Sequence, residues 1–270
     1  MRVGDITVTP VHDGCFLVPP TAFFPSTSAA DWAPHQAFLN DDGRLPLDLG
    51  GFLVRTGDRV ILVDCGAGRR TEPENGHLLT SLRALGVSAA DVTDLVFTHL
   101  HFDHVGWATD NGAVVFENAT YRCDSRDWVH FCGPDADESL SQAIFKSMTA
   151  VERLGPVASR FEMWSGDASL APGLDVRSAP GHTPGSNVIV LSSGGSRALL
   201  LGDVAHCPVE LLDSEWAALG DVDPALARVT REAWAREMEG TGVAASAAHF
   251  PGMRFGRPLP GDGARHWVFD

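Results

Sequence analysis

A chain of 270 residues with 44% hydrophobic side chains can bury a full core, so neither a disulfide nor a structural metal is required merely to fold. Its 35 acidic and 20 basic side chains leave a net charge of −15, and Lys146 is the one lysine. That balance argues against nucleic acid as a partner, because phosphate backbones are held by basic surface. Cys15, Cys65, Cys123, Cys132 and Cys207 are odd in number and form no CxxC pair, the pattern of reduced, mostly buried thiols. The opening MRVGDITVTPVHDG has no apolar stretch of signal-peptide length, and the longest apolar runs fall far short of the ~20 residues that span a bilayer. A soluble cytoplasmic protein with no membrane contact is the expectation.

In chain order, residues 2–9 alternate like an edge strand. Residues 15–48 are rich in Pro, Phe, Ala and Asp with little periodicity and read as a long loop, a kind of segment that is often functional. Residues 50–56 and 59–64 read as a hairpin turning near Gly57-Asp58. Leu78, Leu79, Leu82 and Leu85 have helical spacing, with Gly86 to end the helix. A buried strand follows at 94–98, then short strands at 113–116 and 119–123. Helices are expected at 124–132 and 138–154, the second with Leu140, Ala143, Ile144, Met148, Val151 and Leu154 on one face. Strands are expected near 174–179, 187–192 and 197–202. Pro224 suits the first turn of a last helix running to about Glu239, with Leu226, Val229, Ala233, Trp234 and Met238 on one face. The C-terminal stretch carries Gly and Pro without clear periodicity. Continuous apolar strands such as Val60–Val63 and Ala198–Leu201 imply sheets covered on both sides. The class is α/β, and two packed sheets with helices outside satisfy the pattern.

The densest chemistry lies at residues 99–104, His-Leu-His-Phe-Asp-His, directly after the expected strand at 94–98. Imidazole and carboxylate are ordinary ligands of zinc and similar ions, and four such groups at a strand end would repel and desolvate one another without a cation. An HxH pair in extended backbone points both imidazoles the same way. Three later segments each place a metal-competent residue beside turn chemistry after a strand: Pro180-Gly-His182-Thr-Pro-Gly-Ser186, Leu201-Gly-Asp203 and Ala248-His249-Phe-Pro251. Each alone is weak, since a lone His after a strand is more often a core or capping residue. Together with the 99–104 cluster they support one another. No Cys stands among them, which argues for open, catalytic sites over a closed structural one.

The strings THLHFDHVGW, APGHTPGS, LLGDVAH and AHFPG, in that order and preceded by VILVDCGAG, resemble the metallo-β-lactamase-fold hydrolases from about residue 50 to 252. Within that superfamily they look closest to the dinuclear lactonases and methyl parathion hydrolase-like enzymes. The resemblance implies one domain over 1–270, a four-layer αββα sandwich of two mixed sheets with outer helices. It implies two divalent metal ions, zinc before iron, manganese or cobalt. His99, His101 and His182 would hold the first, Asp103, His104 and His249 the second, and Asp203 would bridge them. The implied reaction is hydrolysis, with a metal-activated hydroxide opening a small lactone or related carboxylic ester. Alternatives are phosphotriester, aryl-ester or thioester hydrolysis, and a binding protein that kept the fold and lost catalysis.

Several residues stand outside the ligand pattern. Asp64, at a strand end, is a candidate to orient a ligand imidazole; its turn position before Cys65-Gly66 is the alternative. Thr98 and Thr183 suit hydrogen bonds to ligands or plain packing. The better-known lactonases carry a Tyr three residues after the bridging Asp, and this chain has His206 there, so the Tyr-assisted step does not carry over. His206 is a candidate donor or general acid, Asp103 a catalytic carboxylate as well as a ligand. Phe23, Phe24 and Trp32 of the N-terminal segment, and Trp107, are candidates for the substrate pocket. The same aromatics, with Phe16 and Phe38, would alternatively form a homodimer contact or pack inward. His12, His35, His77, His130 and His266 read as ordinary residues.

Overall fold

The computed structural model describes residues 1–69, 75–136, 149–213, 215–261 and 264–270. Sixteen strands are formed among them: β1 (Arg2–Val3), β2 (Ile6–Val18), β3 (Leu45–Thr56), β4 (Arg59–Val63), β5 (Asp94–Val96), β6 (Thr109–Asp110), β7 (Ala113–Val114), β8 (Thr120–Asp124), β9 (Phe161–Trp164), β10 (Ala168–Ala171), β11 (Leu174–Ser178), β12 (Asn187–Ser193), β13 (Ser196–Leu200), β14 (Ala244–Ser246), β15 (Gly256–Pro260) and β16 (Arg265–Phe269). The first sheet runs β1-β2-β3-β4-β5-β8-β9 and the second β10 to β16 in chain order. Both are mixed: β4, β5, β8 and β9 pair in parallel, as do β13 and β14, while the other ladders are antiparallel.

The period of two along a strand sorts the apolar residues into layers. In β4, Ile61 and Val63 face the second sheet, packed with Val176, Ile189, Leu191 and Leu200. Leu62, between them, faces away and joins Leu95, Phe97, Leu78, Leu82 and Leu154 under the helices Leu78–Ala84 and Ala150–Leu154. On the far side of the second sheet, Val188, Val190 and Leu199 meet Ala235 and Met238 of the helix Pro224–Thr241. The order is helix, sheet, sheet, helix. Strands buried on both faces explain the unbroken apolar runs at 60–63 and 198–201. Among the described residues no helix is long and apolar enough to cross a membrane, and all five cysteines are free thiols.

Five expectations are corrected. Residues 15–48 are not one loop, because β2 continues to Val18 and pairs with β3 down to Leu45. The alternation Leu45-Pro-Leu47-Asp-Leu49 carries that strand, and Pro46 obscured it. The connection is 19–44, with a helical turn at Pro20–Phe23 and a 3₁₀ stretch at Ala33–Phe38. The C-terminal stretch forms the β15–β16 hairpin. Its prolines are tolerated because β15 meets β14 only at Ala245–Gly256, so Pro258 and Pro260 have no second ladder to supply. Strands β9 and β10 were not anticipated. In the last helix the buried side is Ala227, Arg231, Ala235 and Met238, while Leu226 and Val229 are exposed. Of the helix expected at 138–154, residues 138–148 lie outside the described residues; Thr149 is extended and caps a helix that begins only at Ala150 and ends at Leu154, so it is not one helix through to 154.

One rim of the sandwich collects the functional segments. β4 delivers Asp64, β5 delivers 99–104, β13 delivers Asp203 and β14 delivers His249. The β11–β12 connection brings His182 to the same rim. The Asn187 amide donates to the Thr98 carbonyl at 3.0 Å and stitches the two sheets there.

Candidate metal centre

His99 and His101 follow β5, His101 in extended backbone, with Leu100 between them buried in the core. A single turn, Phe102–Val105, then swings Asp103 and His104 inward. Asp203 follows Gly202, whose φ of 53° is left-handed and whose position leaves a Cβ only 2.8 Å from the Thr98 side chain. Glycine alone fits that approach.

Two donor groups result: His99, His101, His182 and Asp203 in one, Asp103, His104 and His249 in the other, with ligand atoms in each within 4.8 Å of one another. His101 Nδ1 lies 3.0 Å from His99 Nε2 and 2.9 Å from His182 Nε2. Asp203 Oδ2 is 3.4 Å from His182 Nε2 and 3.2 Å from His249 Nε2, and its Oδ1 is 3.2 Å from His104 Nε2. His249 Nε2 is 3.5 Å from Asp103 Oδ2. Asp203 thus touches both groups.

The outward nitrogens fix the inward ones. His104 Nδ1 meets Asp64 Oδ2 at 2.9 Å, His182 Nδ1 meets Asp221 Oδ1 at 2.9 Å and His249 Nδ1 meets the Asp48 carbonyl at 2.7 Å. Carboxylate and carbonyl oxygens only accept, so each imidazole donates outward from Nδ1. Its Nε2 lone pair is left facing the centre. Lone pairs of several imidazoles then confront one another and a carboxylate at about 3 Å. Asp203 Oδ1 is buried there with no hydrogen-bond partner. That donor set fits divalent cations, and the outer partners are those that orient metal-binding imidazoles.

The electrostatics agree. Burial, with the neighbouring imidazoles, holds His99 and His101 well below the usual histidine range. At His104 and His249 burial acts the same way and is the largest single influence, but the carboxylates beside them, Asp203 and Asp64 at the first and Asp203 and Asp103 at the second, together outweigh it and raise both. Asp203 resists ionisation through burial, yet the imidazoles around it hold it well below the carboxylate range. The pocket thus surrounds one buried carboxylate with imidazole nitrogens.

The sequence candidates divide. Asp64 sits in the left-handed region at φ 59°, accepts from the Thr98 amide (2.8 Å) and hydroxyl (2.7 Å), and orients His104. His206 is buried at the centre, its Nε2 3.3 Å from Asp203 Oδ2 and its ring 5.6 Å from that of His249. Burial opposes its charge, but Asp203 and Glu210 push it up to about 10. Phe23 packs edge-on against His206 at 5.1 Å. Phe24 and Trp32 do not reach the centre; both are buried in a satellite core with Trp216, Leu45 and Leu47. Trp107 is also a core residue, its indole donating to Asp13 Oδ1 at 2.7 Å. Aromatic composition alone could not separate a pocket wall from such packing. His12, His35, His77, His130 and His266 belong to neither donor group.

Of the supporting carboxylates the sequence points to Asp64 and misses Asp127, Asp13 and Asp221. Asp127, in the first turn of the helix Ser125–Cys132, accepts from the Leu100 amide (3.0 Å), the Gly185 amide (2.6 Å) and the Thr183 hydroxyl (3.0 Å). It clamps the HxH segment to the His182 loop, and burial pushes its carboxyl up to about 7 against those three bonds. Asp13 accepts from the Ala67, Gly68 and Leu78 amides and organises the turn after Asp64. An acidic residue in a helix's first turn has an ordinary local explanation, so Asp127 gave no signal.

A family model described as the metallo-β-lactamase superfamily matches residues 51–249. The chain belongs to that superfamily. The metallo-β-lactamase match begins within β3 and ends on His249, so it spans both donor groups. An N-acyl homoserine lactonase of a Bacillus species is 24% identical over 161 residues, 58% of this chain and 56% of the relative. The match thus spans little more than half the length of that curated relative. Among solved structures, the dizinc quorum-quenching lactonase AidC superposes with a TM-score of 0.89 at 23% identity, covering 100% of this chain and 96% of that one. The hydrolase AbOPH of the β-lactamase superfamily gives 0.88 at 25% identity, covering 99% and 95%.

Proposed function

We propose that this protein is a dinuclear metallohydrolase that opens a lactone or related carboxylic ester. The observation that carries the reading is Asp203, which lies within 3.4 Å of imidazole nitrogens in both donor groups while its Oδ1 has no hydrogen bond. His99, His101 and His182 would hold one ion, Asp103, His104 and His249 the other, with Asp203 shared. Bound there, two divalent cations, zinc first on the nitrogen-rich donor set, polarise a carbonyl oxygen and bring the pKa of water toward neutrality.

The chain's own residues supply the rest. Asp64, Asp221 and the Asp48 carbonyl hold three imidazoles in one tautomer before substrate arrives. Asp103, with 12% of its side chain exposed against 4% for Asp203, is the more open carboxylate and is placed to accept a proton from water. His206 takes the place of the family's Tyr. It stands between Asp203 and Glu210, which favour its charged form, and it donates a hydrogen bond to a substrate oxygen. Phe23, against His206, forms an apolar wall. The lactone preference draws on the homoserine lactonase relative and on the absence of a nucleophilic Ser motif such as G-x-S-x-G from the sequence.

A hydrolysis panel on zinc- or manganese-loaded protein tests this. It comprises short- and long-chain acyl lactones, aryl esters, phosphotriesters and thioesters. Lactone opening that is fastest and is abolished by chelation is expected. Under one equivalent of bound metal with no turnover of any ester would refute the proposal.

A further inference from the structure

Behind His182 and His206 lies a buried cation that the proposed chemistry does not use. Arg231, on the inner side of the helix Pro224–Thr241, is 1% exposed among Ala227, Ala235 and Met238. A guanidinium is a poor choice for packing against a sheet, so its partners must account for it. Nε donates to the Val204 carbonyl at 2.8 Å, one residue from Asp203, and Nη1 donates to the Trp216 carbonyl at 2.8 Å. Nη2 lies 3.2 Å from Glu210 Oε1 and 3.4 Å from Asp221 Oδ2.

Each carboxylate turns its other oxygen toward the centre. Asp221 Oδ1 accepts from His182 Nδ1 at 2.9 Å. Glu210 Oε2 accepts from the His206 amide at 2.6 Å and the Cys207 amide at 3.0 Å, and stands 3.5 Å from His206 Nδ1. Both carboxylate side chains are wholly buried. Among the described residues Glu210 Oε1 has no hydrogen bond, and only the Arg231 guanidinium lies within ion-pair distance of it.

We infer that Arg231 is a positioning residue that sets His182 and His206 together, through Asp221 and Glu210, from the far side of the site. Its Nε bond to the Val204 carbonyl anchors the guanidinium itself against the Gly202–Val204 turn. The fork is what does this. An ammonium carries the same charge on a single nitrogen and cannot reach two carbonyls and two carboxylates in one plane. The inference rests on reading His182 as a metal ligand. On that reading the ion held with His99 and His101 depends on Arg231. The ion held by Asp103, His104 and His249 depends instead on Asp64 and Asp48.

The experiment compares cobalt binding by the wild-type protein and Arg231→Lys, using competition with a chromophoric chelator and the visible spectrum of the cobalt protein. The wild type is read first: fewer than two equivalents of cobalt would refute the two-ion reading itself. With two equivalents bound, Arg231→Lys is expected to weaken one ion by about 10–100-fold, the range for losing an outer partner of a ligand. Its d–d absorption should change and the second ion stay within about twofold. Unchanged affinity and spectrum, or equal weakening of both ions, would overturn the inference, because a role in packing alone does not choose between ions. Should Arg231→Lys fail to fold by circular dichroism, Asp221→Asn keeps the guanidinium and must show the same one-ion loss; two ions bound as in the wild type would overturn it equally.

Discussion

Asp64→Asn isolates the tautomer on which the second donor group depends. Asn tolerates the left-handed φ of 59° at this position, so the backbone need not change. The carboxylate serves three donors, with Oδ1 taking the Thr98 amide and Oδ2 taking both the Thr98 hydroxyl and His104 Nδ1. An amide offers one acceptor oxygen. If that oxygen faces the Thr98 amide, the NH₂ faces the Thr98 hydroxyl, which can rotate to accept, and His104 Nδ1. His104 must then accept at Nδ1 and carry its proton on Nε2, so its lone pair no longer faces Asp203 and His249. If the amide is turned the other way, its NH₂ confronts the fixed Thr98 N–H, and an unpaired buried donor costs about 1–3 kcal/mol. The first arrangement disturbs only a tautomer and should prevail. The expected result is a 10–100-fold loss of affinity for one of two ions, about 1.4–2.8 kcal/mol at 1.4 per tenfold. The assay is stepwise chelator competition on the refilled protein, with urea unfolding of the metal-free form as control. Two ions bound as tightly as in the wild type, with unfolding unchanged, would refute the assignment of Asp64 as the group that orients His104.

Other consequences are equally open to measurement. Asp127→Ala leaves the Leu100 and Gly185 amides unpaired and should lower the unfolding free energy in urea by about 2–4 kcal/mol; a change under about 0.5 would show that the clamp does not hold the two loops. Glu232, gripped by both Nη groups of Arg265 at 2.9 Å, is held down to about 2, below its ordinary 4.5. Its stabilisation is therefore full above about 4.5 and lost as the pH falls through about 2. After allowance for solvent screening, Glu232→Gln should cost about 1 kcal/mol at pH 7 and almost nothing at pH 2; an equal cost at both values contradicts the ion pair as its source. His206→Ala should lower kcat by about 10²–10⁴ while two metal equivalents remain bound. Full activity with full metal would remove His206 from the reaction.

The part of the site that was legible in the sequence is the part whose chemistry is unusual. Imidazoles and a carboxylate packed into 99–104 have few other reasons to coexist, and the later His182, Asp203 and His249 each stand in recognisable turn text. The fold class was legible for a similar reason, since strands such as 60–63 are apolar on both faces only when covered on both. What escaped were residues with an ordinary local reading. Asp127 looks like a favourable charge in a helix's first turn, and Asp221 looks like a loop acid before Pro224. Arg231 breaks the apolar stripe of its helix, and of the stripe the sequence suggests Leu226 and Val229 face outward while Trp234 and Met238 pack inward. Charge buried against a polar site inverts the rule that apolar residues mark the inner face. For the aromatics the sequence leaves pocket, dimer contact and inward packing open, and Phe24, Trp32 and Trp107 take the last, filling cores.

The central claim is that two ions share Asp203. Anomalous scattering from crystals of the zinc-loaded protein, collected on both sides of the zinc edge, tests it most directly. Two peaks are expected, one among His99, His101 and His182 and one among Asp103, His104 and His249, with the Asp203 carboxylate between them. A single fully occupied peak in a protein that hydrolyses esters at its full rate would contradict the account.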